Sequence, residues 1–507
     1  MKKIAFLFLA FQIVLFSCRT AKVGSKDQTE IVFLHLNDVY EISPLEGGKK
    51  GGMARVATVR KELIQKNPNV VTVLSGDFLS PSVLGTLKYE GKTIRGRQMV
   101  DAMNAVGIDW VCLGNHEFDI SEADLQERIN ESKFNWINTN ALQNKGGNLE
   151  PFGKIVNGVK QPFAKTKILE FKDAKGNTIK VGLFGILLPS NRKDFVFYDD
   201  FFESAKKAYN ELKPQCDFVV ALTHIDKADD AKLATMLPDL KLMMGGHDHD
   251  NMIQKIGGVT LAKADANAKT VYIHRLIYNA KTKSVEVKSE LKEINDKIAD
   301  EPTTAAVVKK WEDIADENYR KMGLDKNNVI YVAKEPLDGR ESSIRNFQTN
   351  LGNLIAKSTA AAVPSGVDCA IFNGGSVRID DQLEGDVTEL DILRVLPFGG
   401  KVLGVKMKGR LLERTLETGL KNKGSGGYLQ WDNVRYDEAS KQWFINGKLL
   451  DVNQEYNVST SDFLMSGKEK GLDFLTTKNP DVVSVYEPKD SDVGGDIRRA
   501  VIVYLKK

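Results

Sequence analysis

One alternation limits the folds open to this chain more than anything else in it. From residue 30 to about 295, short apolar runs recur: "IVFLHL", "VVTVLSG", "WVCLGN", "IKVGLFGI", "DFVVALTHI" and "LKLMMGG". Between them lie amphipathic stretches such as "ARVATVRKELIQK" and "GRQMVDAMNAV". The runs have the length and composition of buried strands, and the stretches between them have helical spacing. Strand–helix alternation predicts a mainly parallel sheet covered by helices. In such sheets ligands gather at the carboxyl ends of the strands.

The residues that follow each run carry the chemistry. The first run leads to Asp38, the second to Asp77, and the third to "GNHEFD" with Asn115, His116, Glu117 and Asp119. A later run ends at His224, and the last is followed by His247 and His249. The chain has six histidines, and four of them stand just past an apolar run. Any one His or Asp in such a place is more often a cap or a hydrogen-bonded loop residue. Seven such groups at successive strand ends converge on one rim. They are too many for one tetrahedral ion and enough for two metals. Mixed imidazole and carboxylate donors suit Zn, Mn, Fe, Co or Ni better than Ca or Mg. Two divalent ions facing only two carboxylates keep a net positive charge, which attracts a phosphate dianion. A metal-bridged water that loses its proton near neutral pH can then attack phosphorus. His116, with Asp119 three residues on, reads as an imidazole oriented by a carboxylate, placed to assist the leaving oxygen. The alternative for His116 is a further metal ligand.

Taken together, "ND…SGD…GNHEFD…TH…GGHDH" resembles the calcineurin-like metallophosphoesterases, and within them the secreted 5′-nucleotidases. The resemblance runs over nearly the whole chain after its first residues. It implies a four-layer αββα sandwich over 30–296, a linker helix over 297–328 and a second, α+β nucleotide-binding domain over 329–507. It implies one metal held by Asp38, Asp77 and His249, and another held by Asp77, Asn115, His224 and His247. Asp77 would bridge them, and His116 and Asp119 match the family's catalytic pair. His35 and His274 fall outside these motifs and read as core or surface residues.

The second domain fits the narrower resemblance. "GRESSIRNFQTNLGNLIA", "FNGGSVR", "LPFGG" and "TSDFLMSG" are similar to the family's substrate-binding blocks. By that match Arg345 and Arg378 contact the phosphate or ribose region, Asn373 orients the nucleoside, and Phe398 and Phe463 clamp the base. Two aromatic faces hold any base by stacking, worth about 1–3 kcal/mol per base. Arginine forks recognise phosphate. Departures are also visible. Gly400 stands where the family often has a base-reading Asn. The run "SGKEKGLD" replaces a tighter turn, and its family Asp is assigned to Asp473. Arg340 is one residue out of step with its counterpart.

Tyr40 is the clearest departure. In the resembled nucleotidases the residue two after the first Asp is usually a His that binds the same metal. A phenol has a pKa near 10 and binds as phenolate mainly to a strongly Lewis-acidic ion such as ferric iron. Either Tyr40 ligates iron, or it hydrogen-bonds a metal-bound water and leaves the first site weaker. The second is the default on sequence, because a phenol seldom ionises without strong help.

Lys2 and Lys3 precede an apolar stretch of signal-peptide length. "LFSC" then resembles a bacterial lipoprotein cleavage box, with Cys18 as the lipidated residue. A simple cleaved signal or an uncleaved anchor is the alternative. Residues 1–18 thus read as a signal and 19–29 as a polar tether. The expected location is extracytoplasmic, membrane-anchored through the lipid, in the periplasm or on the cell surface. Net charge is +3, and Lys2 and Lys3 contribute two of it. That excludes an electrostatic case for a nucleic-acid polymer as partner. Cys112, Cys216 and Cys369 lie in or beside apolar runs and read as core thiols.

The expected function is a phosphohydrolase that uses two divalent transition metal ions (Zn, Mn, Co or Fe) to release phosphate from nucleotides. A 2′,3′-cyclic nucleotide phosphodiesterase or a nucleotide-sugar pyrophosphatase could share that centre. A catalytically silent surface binding protein is the reading from another class, opposed by the intact His116, Asp119 and second-metal ligands.

Overall fold

The computed structural model describes residues 27–379 and 381–507. Cys18 and most of the tether lie outside the described residues. The first domain holds two six-stranded sheets. One has the order Ser284–Glu293, Thr270–Asn279, Gln28–Leu36, Val70–Ser75, Trp110–Cys112, Asn135–Ile137; its last four strands run parallel. The other has the order Thr166–Lys172, Thr178–Leu187, Phe218–His224, Leu242–Gly245, Val259–Lys263, Met252–Ile256, parallel except at its two edges.

The central strands are apolar throughout because both their faces are covered. Every residue of Ile31–Leu36 and of Phe218–His224 is buried. Ile31, Phe33, Val73 and Cys112 of the first sheet meet Val181, Leu183, Val220, Leu222 and Met244 of the second in the inter-sheet core. On the outer face of the first sheet, helix Met53–Lys66 buries Met53, Val56 and Leu63, and helix Arg97–Val106 buries Met99, Val100 and Met103. Helices Phe201–Leu212 and Lys227–Met236 cover the second sheet. Each such side chain removed from water stabilises by about 1.5–3 kcal/mol. The result is the four-layer αββα sandwich.

Polar groups also cross the inter-sheet space. Ser75 Oγ donates to Met244 O at 2.7 Å. His35 Nε2 lies 3.1 Å from Gly245 O across that space, and within the first sheet His274 Nε2 lies 3.4 Å from His35 Nδ1. Both histidines are fully buried.

The linker read from the sequence is a helix, Pro302–Lys321, capped by the Glu301 carboxylate on Thr304 N at 2.9 Å and started by Pro302 at its first position. It is no free spacer. Trp311 is fully buried against the first domain, and its Nε1 donates to Asp101 Oδ2 at 3.1 Å. The second domain is built on a five-stranded sheet, order Leu429–Asp432, Cys369–Asn373, Glu455–Ser461, Val402–Lys408, Val482–Tyr486. Helices Asn350–Ala361 and Ile497–Leu505 pack in one cluster beside it, and Gly409–Lys421 packs in another. Cys112, Cys216 and Cys369 are free thiols, the first and last buried.

Candidate metal centre and substrate site

The candidate ligands meet where the carboxyl ends of the two sheets face each other. The backbone there is unusual. Asp38, Asp77, His247 and His249 all adopt positive φ, at 52°, 57°, 84° and 62°. Non-glycine residues in that region cost on the order of 1–3 kcal/mol each and cluster at functional sites. The glycines beside them permit the crowding. A Cβ on Gly76 would lie 2.6 Å from His224 Nδ1, and one on Gly246 would lie 2.3 Å from Ser75 O and 2.9 Å from Asp38 Oδ2.

Backbone contacts fix each donor. His224 Nδ1 donates to Ser75 O at 2.8 Å, which leaves Nε2 to face Asp77 Oδ2 at 3.0 Å and Asn115 Oδ1 at 3.2 Å. A second-atom hydrogen bond of this kind sets the tautomer of a ligating imidazole. Asp77 Oδ1 accepts His116 N at 2.7 Å, so its Oδ2 is the atom turned to the site. Asp38 Oδ2 accepts from Asn37 Nδ2 at 2.8 Å and from His247 N at 2.9 Å. Its Oδ1 is buried with no hydrogen bond and lies 3.3 Å from His249 Nε2. Donor atoms of Asp77, His224 and His247 fall within 4.8 Å of one another. Buried carboxylates crowded among imidazole nitrogens need positive charge beside them, which metal ions supply, so these residues fit metal ions. Burial opposes ionisation of Asp38 and Asp77, yet the facing histidines hold both carboxyls below the usual range. Burial also opposes a charged His224, but Asp77 and Asp38 push it up to about 9.

Beside this cluster, His116 Nδ1 lies 2.8 Å from Asp119 Oδ2. Asp119 is itself held by Ser80 Oγ at 3.1 Å and by Asn191 Nδ2 at 2.8 Å. Burial works against a charged His116, while Asp119 and Asp77 raise it above its ordinary value. From the second domain, Arg378 Nη2 reaches Asp119 Oδ2 at 3.0 Å. Its Nη1 lies 3.8 Å from Glu341 Oε1, and Glu341 also pairs with Arg345. Both candidate arginines therefore belong to one charged chain that ends on the His116–Asp119 pair. The Arg378 guanidinium carbon sits 5.6 Å from the Phe398 ring centroid. Phe398 faces Leu79, Ser80 and Ile120 of the first domain. Phe398 and Phe463 are 55% and 42% exposed, high for phenylalanine.

Asn373 Nδ2 donates to Glu469 Oε2 at 2.9 Å. Asp473, the acid assigned on sequence to the substrate-binding set, is exposed. Within the longer "SGKEKGLD" turn, Glu469 is the acid that meets Asn373. Gly400 has φ 108°, and a Cβ there would lie 2.7 Å from Asp462 Oδ1. No side chain can read a base from position 400, and the polar group beside it is Asp462.

Other residues that build the site had no assigned role in the sequence. Glu117 accepts from the backbone N–H groups of Asp77, Phe78, Leu79 and Gly114 at 2.7–3.1 Å, pinning two strand ends together. Burial, then the charge of Asp77, pushes its carboxyl up to about 7. Asn267 Oδ1 accepts from Tyr40 N at 3.0 Å and Glu41 N at 3.2 Å. Lys263, fully buried, pairs with Asp230 at 2.8 Å and with Asp248, which stands between His247 and His249. Glu117 and Asp248 had a visible signal, their places inside "GNHEFD" and "GGHDH".

Comparison with known proteins agrees with this geometry. The calcineurin-like phosphoesterase family matches residues 31–251, and the 5′-nucleotidase C-terminal domain family matches residues 329–477. Human 5′-nucleotidase is 25% identical over 463 residues, 81% of this chain and 76% of that protein. Protein UshA of Yersinia enterocolitica is 26% identical over 502 residues, covering 87% of this chain and 86% of that one. The crystal structure of a 5′-nucleotidase precursor from Thermus thermophilus superposes with a TM-score of 0.69 at 22% identity, over 94% of this chain and 96% of that chain, which shows the shared fold. The chain belongs to the calcineurin-like phosphoesterases that carry a 5′-nucleotidase C-terminal domain, and is a metal-dependent phosphoester hydrolase.

Proposed function

We propose that the protein releases phosphate from extracytoplasmic nucleotides, with the phosphoryl group at the strand-end cluster and the nucleoside held by the second domain. One observation carries the reading. Arg378 of the second domain reaches the Asp119 of the His116–Asp119 pair, and the exposed Phe398 lies beside that arginine and faces Leu79, Ser80 and Ile120. One divalent transition ion would sit among Asp38, Asp77 and His249, and another among Asp77, Asn115, His224 and His247. When bound they would supply Lewis acidity toward water and toward the phosphoryl oxygens. His116, oriented through Nδ1 and raised in basicity by Asp119, can hold a proton for the leaving oxygen. Arg378 offers its fork to phosphate once substrate displaces Asp119 from it. Phe398 and Phe463 would stack on the base, and Asn373 with Glu469 would orient the sugar. The apolar leader after Lys2 and Lys3, with Cys18, supports export and lipid anchoring. No helix among the described residues is long and apolar enough to cross a membrane.

The test is hydrolysis by the mature protein with Zn, Mn or Co, read as free phosphate from the monoesters, as UMP and glucose 1-phosphate from UDP-glucose, and as the ring-opened AMP monoester from the cyclic nucleotide. AMP, UDP-glucose, 2′,3′-cyclic AMP and glycerol phosphate are the substrates to compare. Fastest turnover of AMP is the expected result. No turnover of any with metal bound would leave the silent binding protein standing. A preference for UDP-glucose or the cyclic nucleotide would move the assignment to those diesterases. Preference for glycerol phosphate would remove the base-clamp role of Phe398 and Phe463.

A further inference from the structure

We propose that Glu341 is a specificity-determining residue, and that its carboxylate beside Arg345 and Arg378 makes the site select nucleoside monophosphates over nucleoside di- and triphosphates. The inference rests on the nucleotide reading of the site and names the substrate class within it.

Position is the first ground. Arg378 Nη2 lies 3.5 Å from His116 Nδ1 and 3.0 Å from Asp119 Oδ2, and its guanidinium carbon lies 5.6 Å from the Phe398 ring centroid. It stands between the pair that serves the leaving oxygen and the ring that would take the base. Whatever group adjoins the leaving oxygen therefore meets this arginine. In a monophosphate that group is an uncharged ribose carbon. In a diphosphate it is a second phosphate with a charge of its own. In both, water adds to the terminal phosphorus and the oxygen behind it departs, so only this neighbour differs.

Charge is the second. Glu341 pairs with Arg345, and its Oε1 lies 3.8 Å from Arg378 Nη1. With Asp119 also on Arg378, two guanidinium groups face two carboxylates, and these four groups together carry no net charge. Arg394, a further arginine on this cleft, is matched by Asp391 at 3.1 Å. The first domain lines the cleft with Tyr40, Ser82 and Asn267, which bring no cation. Tyr40 Oη is engaged there, donating to Asp77 Oδ2 at 3.3 Å and lying 3.0 Å from His249 Nε2. The terminal phosphoryl group has the strand-end cluster to attract it. A second phosphate would depend on the arginines, whose charge Glu341 offsets. Like charge set against an unwanted ligand is a direct route to selectivity.

Fixation is the third. Glu341 opens the short helix Glu341–Ile344, and Arg345 N donates back to Glu341 O at 3.2 Å. Acid and arginine thus stand four residues apart on one helical face, where such side chains meet. The side chains of Arg378, Arg345 and Glu341 are 11%, 21% and 25% exposed, so solvent screens their charges weakly. The offset is held in place before any substrate arrives.

The test compares initial rates of AMP and ADP hydrolysis by the mature zinc-loaded protein, as wild type, Glu341→Gln and Glu341→Lys, with adenosine and AMP separated by chromatography. Wild type should favour AMP in kcat/KM. The ADP-to-AMP ratio should rise about tenfold in Glu341→Gln and further in Glu341→Lys, in step with the charge at position 341. A wild type that favours ADP, or a ratio unmoved in both variants, overturns the proposal. So does an equal fall for both nucleotides, which would make Glu341 only a support for the arginines. Should one variant fail to fold, the other carries the comparison, and the wild-type preference is a test without either. Should the wild type hydrolyse neither nucleotide, the nucleotidase reading fails, and the dissociation constants of AMP and ADP across the same three proteins decide the inference. A ratio of those constants that follows the charge sustains it, and an unmoved ratio overturns it.

Discussion

Arg378 of the second domain lies 3.0 Å from Asp119 of the first, so the carboxylate that orients His116 is shared between two domains. The guanidinium is nearly buried, and burial works against its charge while Asp119 and Glu341 favour it. Hydrogen bonds to charged groups contribute about 1.5–3 kcal/mol. Arg378→Ala is therefore expected to lower kcat/KM for a nucleotide by roughly one to two orders of magnitude. Arg378→Lys should recover only part, because a lysine lacks the fork. Steady-state kinetics with unchanged metal content checks this.

The Asn373–Glu469 contact predicts which carboxylate reads the sugar. Glu469→Ala should raise KM for AMP about fivefold, the size of one net hydrogen bond. Asp473→Ala should leave KM within error. The reverse order would return the role to Asp473.

Lys263 predicts a coupled loss of stability and metal affinity. It is buried with two carboxylates and also donates to Ile225 O at 2.7 Å. Removing one partner of a buried ion pair costs about 3–5 kcal/mol, because the remaining charges stay uncompensated. Lys263→Met should lower the urea midpoint accordingly. Asp248 flanks both His247 and His249, so metal affinity should also fall about 10–100-fold, the usual cost of losing an outer support. Urea titration and metal-binding isotherms measure the two effects separately.

His35 and His274 predict a hidden pH dependence. Burial lowers His35 to about 3, and burial together with His35 lowers His274 far below its ordinary value. Below about pH 6.5 the unfolded chain takes up protons that the folded chain refuses. Each histidine then destabilises the fold by about 1.4 kcal/mol per pH unit as pH falls toward 5. Glu41 and Glu117, raised to about 7 chiefly by burial, act in the opposite sense, because the folded chain binds their protons first. His224, raised to about 9, contributes fully below pH 6.5 and adds no slope there. The metal-free wild type should therefore show a shallow profile between pH 6.5 and 5. Relative to it, His274→Gln should gain about 1.4 kcal/mol per pH unit on acidification. Urea unfolding at pH 6.5, 5.75 and 5 checks the difference.

The strand-end groups were legible because a parallel sheet aligns its carboxyl ends, so residues far apart in sequence share one rim. Asp38, Asp77, Asn115, His224, His247 and His249 stand out on that rule alone. The groups that aim them were not legible. Asn267 reaches Tyr40 and Lys263 reaches Asp248 through loop geometry that has no period in the sequence. Glu469 meets Asn373 while Asp473 is exposed, because the length of a turn decides which of two acids faces inward. The helix Pro302–Lys321 looked like a spacer because its surface is polar. One fully buried Trp311 makes it part of the first domain.

That attachment determines where the molecule can bend. Leu324 N still donates to Tyr319 O, so the chain stays tied to the helix up to that residue. From Asp325 onward its backbone passes to the other side, with Asp325 N and Asn328 Nδ2 both on the Glu389 carboxylate at 2.9 Å, while the Lys326 side chain still reaches back to Asp316 of the helix. Gly323, at φ 71°, ends the helix just before that crossover. The long helix is thus the stator, and any swing of the nucleotide-binding half concentrates its torsion in the few bonds at the Leu324–Asp325 junction, like a wrist rather than a tether.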